Sequence, residues 1–234
     1  MMLDFLNDNI LICVISILLY IVMVFFSKIL VKKFIIKKIS FKGVFNAIKT
    51  GLLFLLSCDY AITKLIKNND YNNLHDETKN LKGELIKKFN FLNIIITVVL
   101  MILSIIVECL AKDINWLHNG VLCFVFVRFF SRAIEIVIAF IIDIIDDKEK
   151  TTNLKSKARL SLAFTSLLEV TMLAISCIYF VKSDVLVSIN EALSSLFFDF
   201  SCNGIVKLIQ LVEAINFYAL MTLYFSSLID SKKN

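Results

Sequence analysis

Five apolar stretches, residues 9–31, 91–110, 121–146, 160–181 and 205–229, each approach or exceed the roughly 20 residues that a helix needs to cross a bilayer. That pattern leaves few folds open. In lipid every backbone N–H and C=O must find its partner inside the structure, so only helices and closed barrels span. These runs are far longer than barrel strands of about 9–11 residues, and a chain with no proline and five glycines has little to punctuate strands. The expected class is therefore an all-α integral membrane protein. Composition agrees, with 59% hydrophobic and 19% charged residues. The 234 residues hold about five or six spans and no aqueous domain of useful size. No nucleic-acid partner is expected.

The lysines give the topology. From Lys28 to Lys67 there are nine lysines against one acid, Asp59. The positive-inside rule places this stretch in the cytoplasm and the N-terminus outside. The first run, uninterrupted until Lys28, is read as a permanent helix because Asp4 and Asp8 lead it and no small-residue cleavage site follows. Within the basic stretch, Phe41, Val44, Phe45, Ile48, Leu52 and Leu55 recur at helical spacing, with Lys42 and Lys49 off that stripe. The pattern predicts an amphipathic helix on the inner leaflet, with residues 28–67 meeting anionic lipid head groups. Reading 44–66 as a further span would bury Lys49 and Asp59 and invert every later helix, so that reading is set aside.

Residues 68–90 read as a cytoplasmic linker, and 111–120 as an external loop with Trp116 as interfacial anchor. His75 and His118 fall in these linkers as isolated surface residues. The six cysteines show no C-x-x-C pair and lie mostly in apolar runs, as buried small hydrophobes. No metal, cofactor or catalytic cluster is expected, and the chain is not read as an enzyme.

The third run is the most unusual. Arg128, Arg132, Glu135, Ala139, Asp143 and Asp146 recur three or four apart and share one helical face. Charges near a span's centre cost several kcal/mol unless paired, so this face must turn into protein. The fourth run offers Ser161, Thr165 and Glu169, and Glu169 is expected to pair with Arg132 or Arg128. A voltage sensor or proton relay is one role for this cluster. A structural ion-pair network is the other, and two arginines spaced by four fit it better.

Residues 187–198 are too short to cross a membrane. A polar break follows, Asp199-Phe200-Ser201-Cys202-Asn203-Gly204, and then the last run with Glu213 in its first third. Five spans plus one re-entrant half-helix, with the C-terminus inside, place every lysine-rich linker on one side. The corresponding division is 1–90, 91–157 and 158–234, the last being the pore-type part.

The order of half-helix, polar turn and an inner helix opening Ile205-Val-Lys-Leu-Ile-Gln-Leu-Val-Glu213 resembles the pore region of two-transmembrane potassium-channel-type proteins, in a divergent bacterial form. Residues 131–143, with 159–163 and Glu169 ahead of the pore, add a looser likeness. The resemblance implies a homotetrameric ion channel whose filter lies at residues 199–204. Here the T-V-G-Y-G filter is missing, and a single glycine cannot aim successive carbonyls inward. Fourfold repetition would instead set a ring of Asp199 carboxylates that attracts monovalent cations. Asn216 stands where a glycine often bends the family's inner helix.

Other readings remain beside the pore. The region could be a helical hairpin with an external amphipathic loop, and Glu213 a charge snorkelling to the interface or bonding the half-helix. The chain could be a small membrane effector or partner protein, acting in stress or phage defence without conduction, or a transporter. Against a transporter, one broken segment has no counterpart in the first half. The richness in Ile, Lys, Asn and Phe points to an AT-rich genome and so to a bacterial inner (plasma) membrane.

Overall fold

A computed structural model describes residues 10–36, 75–145, 156–201 and 204–232, and among these the fold is entirely helical. There are six helices: α1 (Ile10–Ile36), α2 (His75–Leu110), α3 (Asn115–Ile145), α4 (Ser156–Lys182), α5 (Val185–Ser195) and α6 (Gly204–Lys232). Among the described residues, four stretches are long and apolar enough to cross a membrane: Ile10–Leu30, Gly83–Leu110, Ala158–Lys182 and Gly204–Thr222. The amphipathic segment expected at 41–55 and the residues Cys202, Asn203 and Asp146 lie outside the described residues.

Helix α4 is the hub. It packs against α2, α3, α5 and α6, while α1 lies to the side against α2 and α3. The main core joins Val125 and Phe129 of α3, Leu173, Cys177 and Ile178 of α4, and Val206 and Ile209 of α6. A smaller cluster seats Tyr20 and Val24 of α1 on Leu85 and Phe89 of α2. The outward faces are apolar: Leu11, Leu18, Leu19, Val22 and Phe26 of α1 and Val99, Ile102 and Ile106 of α2 are exposed. In water such a surface would drive association, whereas hydrocarbon solvates it at no cost.

Side-chain contacts fix the helix directions. Ser16 donates to the carbonyl of Gly120 (3.1 Å) and Tyr20 meets Phe124 edge-on, so α1 and α3 run in parallel register. Asn90 meets Thr165 and Cys109 meets Tyr179, so α2 and α4 are also parallel. Lys28 lies over the ring of Phe89 (5.9 Å), which brings the later part of α1 beside the earlier part of α2. Lys28 sits buried within α1, which continues past the expected end at Val31 to Ile36.

Two boundaries differ from the sequence expectation. The supposed linker before residue 90 is helical from His75, because Leu85 and Phe89 find a core against α1. The loop expected over 111–120 is closed by residue 114, where the backbone N–H of Ile114 donates to the Ala111 carbonyl (2.9 Å) and α3 begins at Asn115.

Between α4 and α5 the chain reverses within two residues. Ser183 adopts a left-handed φ of 55°, and Asp184 caps α5 by accepting the N–H of Val187 at 3.0 Å. Helix α5 then runs back along α4 with Ser188, Ala192 and Ser195 buried.

Candidate functional site

The charged centre is built at one level of four helices. Arg128 and Arg132 stand one turn apart on α3, so one carboxylate on a facing helix can reach both. Glu169 of α4 does this: its Oε1 accepts from Arg128 Nη2 at 2.8 Å and its Oε2 from Arg132 Nε at 2.7 Å. Arg132 Nη1 also reaches Glu135 at 2.6 Å, and Nη2 donates to Asn90 Oδ1 (3.0 Å) and Ser166 Oγ (3.2 Å). Tyr20 of α1 receives a long bond from Arg128 (3.4 Å) and turns its ring to the guanidinium, while Thr97 of α2 donates to Glu169 at 3.5 Å. Arg128 and Glu169 are 0% exposed. Two cations and two carboxylates balance, which is the condition for such a cluster to be tolerated in a low-dielectric interior. The expected pairing of Glu169 with one arginine is extended to both.

The second centre is where α5 ends. Gln210 of α6, fully buried, accepts the N–H of Ser201 at 2.7 Å and donates to the Glu191 carbonyl (2.6 Å), Glu191 Oε2 (2.9 Å) and Ser194 Oγ (3.2 Å). One amide thus holds both the end of the half-helix and the chain leaving it. Phe198, at a φ of 61°, stacks on Tyr218 of α6 with centroids 4.7 Å apart. Tyr218 lies 14 residues past Gly204, about 21 Å along the helix. The chain after α5 therefore reaches deep along α6 before returning to its start.

At that tip Asp199 is exposed, Phe200 and Ser201 are half-buried, and Gly204 opens α6 with nothing within 4 Å of where a Cβ would stand. Glu213 and Asn216 are buried on α6. The Glu213 carboxylate has no hydrogen-bond partner among the described residues, and neither does Asn216 Oδ1. Snorkelling of Glu213 to an interface is excluded by its 0% exposure.

A third cluster was not expected from the sequence. Glu108, at the end of α2, binds His118 Nε2 (2.8 Å), Lys112 Nζ (2.9 Å) and Ser183 Oγ (2.7 Å). His118 is thus no isolated linker residue. It lies in the first turn of α3, packed edge-on against Phe180, because the helix starts six residues earlier than the apolar run does. This carboxylate ties α2, α3 and the α4–α5 reversal together. Gln210 and Asn90 were also missed; a lone amide inside an apolar run was the available signal for both.

Cys13, Cys123 and Cys177 are buried and free, as small hydrophobes should be, whereas Cys109 is exposed. Among the described residues no group of histidine, cysteine and carboxylate side chains could hold a metal ion. No family model matches the chain, and no curated protein or solved structure matches it either.

Proposed function

We propose that the chain is a pore subunit of a homo-oligomeric cation channel, a tetramer by the resemblance above, with a filter unlike that of potassium channels. Helix α3 completes five crossings in this reading, with its arginines carried through the bilayer by Glu169. The helix directions support it: α1 and α3 run one way and α2 and α4 the other. Helix α6 runs with α5 (Gln210 beside Glu191, Tyr218 beside Phe198) and so against α4, as the lysine distribution requires of an N-terminus outside and a C-terminus in the cytoplasm. The plasma membrane is the corresponding location.

The observation that carries the reading is the path of α5 and its tip. The half-helix turns back along α4, and the Phe198–Tyr218 stack draws the tip to a depth an external loop would not reach. A half-helix that ends inside the membrane points its carbonyl end, the negative end of its dipole, at the interior. Asp199 stands exposed beside that end. Repeated around an axis, carbonyl ends and carboxylates favour cations by field strength and pore width, without a carbonyl cage. The exposed apolar side chains of Leu186 and Phe197, the latter 82% exposed, give neighbouring copies a surface to cover.

The test is single-channel recording of the purified protein in planar bilayers. Unitary cation currents are expected, and Asp199→Asn should reduce their amplitude and cation preference. Flat records over a full voltage range would remove the channel reading. A particle image down the membrane normal without rotational symmetry would remove the oligomeric pore.

A further inference from the structure

The polar groups around Glu213 are out of balance. A carboxyl group with no exposure has two oxygens without well-formed hydrogen bonds among the described residues, and one turn further along α6 the Asn216 Oδ1 atom is in the same position. The Asn216 amide nitrogen already donates to the Val212 carbonyl at 2.8 Å. The hydroxyls of Thr171 on α4 and Ser195 on α5 approach the Glu213 carboxyl without closing well-formed hydrogen bonds to it, and Cys177 of α4 lies nearby. Ser195 directs its proton to the Ala192 carbonyl at 2.8 Å, so it is already engaged.

Charged groups on the surrounding helices are committed elsewhere. Glu191 of α5 binds Gln210 and lies 3.9 Å from Lys182. Glu169 of α4 and Arg128 and Arg132 of α3 satisfy one another. Among the described residues, the place where α4, α5 and α6 meet around Glu213 thus holds unmatched acceptors and no cation. An ionised carboxylate packed this way would cost several kcal/mol, far more than its neutral form. A proton satisfies the chemistry in the least space: it removes the charge and converts one carboxyl oxygen into a donor for an orphaned acceptor.

We propose that Glu213 is an exchangeable proton site, occupied while α5 is seated and emptied when α5 leaves its seat. In the exchange the carboxyl O–H bond breaks, the proton passes to water admitted as Ser195 withdraws, and the carboxylate remains hydrated on α6. Proton occupancy and the seating of α5 are then linked, each favouring the other. The site does not depend on conduction, and none of its readouts is a current, so its failure and that of the pore reading are distinguishable.

Infrared spectroscopy of the full chain in lipid vesicles, titrated with pH, tests it. A protonated-carboxyl band is expected at neutral pH, absent from Glu213→Gln, lost on alkaline titration and unchanged when sodium replaces potassium. In parallel, hydrogen exchange in α5, corrected for intrinsic base catalysis, should lose about tenfold or more protection across the same titration in the wild type and not in Glu213→Gln. Thr171→Val keeps the carboxyl and should shift the band, which covers the case where Glu213→Gln fails to fold. If no such band shifts or disappears in either variant, or if sodium displaces it at fixed pH, the proton site is wrong. Protection of α5 that ignores pH would overturn the linkage.

Discussion

Replacing Glu169 by leucine tests how the charged centre holds α3 to α4. The substitution removes charge-assisted bonds of 2.8 and 2.7 Å and leaves Arg128 and Arg132 facing only Glu135, a net buried charge of about one. Removing one member of a buried network costs about 3–5 kcal/mol. At about 2–4 °C per kcal/mol for a chain of this size, the melting temperature should fall by roughly 6–20 °C. The informative comparison is Arg128→Leu combined with Glu169→Leu. That pair leaves Arg132 and Glu135, 2.6 Å apart and balanced, so the double variant should be more stable than Glu169→Leu alone. Thermal unfolding of the detergent-solubilised protein, followed by fluorescence size exclusion, measures both. A single variant within about 2 °C of wild type, or a double variant below the single, would refute the argument that charge balance holds these helices.

Two further outcomes follow from the half-helix. Gly204→Ala should be neutral or stabilising by up to about 1 kcal/mol in the same unfolding assay, because its Cβ meets nothing and its φ is not positive. It should leave any conductance unchanged, which a glycine needed to aim a filter carbonyl would not allow. Gln210→Leu strips the amide from Ser201, Glu191 and Ser194 at a cost of about 1–3 kcal/mol, so hydrogen exchange at the end of α5 should quicken by roughly 5–150-fold while the α4 core stays protected.

Much of the bundle was legible because apolar length is a local property. The charged face of α3 could be read as turned inward because spacing of three and four defines a helical face before any neighbour is known. What spacing could not supply was reach. It allowed Glu169 one arginine, and only the crossing of α3 and α4 shows a carboxylate divided between two. Asn90 looked like the last residue of a linker because the helix before it is polar in sequence, and Leu85 and Phe89 are too few to announce a core on α1. The Glu108–His118–Ser183 cluster joins residues 10 and 75 positions apart, and no local pattern encodes it. Asp199 and Glu213 were legible as unusual residues; that one is exposed and the other sealed depended on how deep α5 reaches.

The sharing of Glu169 also bears on how the chain is made. If α3 crosses the bilayer as proposed, it enters carrying two arginines that each cost about 2.5–3.5 kcal/mol on translocon scales. Glu135 on the same helix can balance Arg132, but the partner of Arg128 is encoded 41 residues later, on a helix not yet synthesised. The ribosome must therefore deliver α4 before α3 can be released into lipid, and the two helices should leave the translocon as a pair. Synthesis of α3 without α4 would leave a segment that returns to water, which makes chain length during translation, as well as sequence, a determinant of this topology.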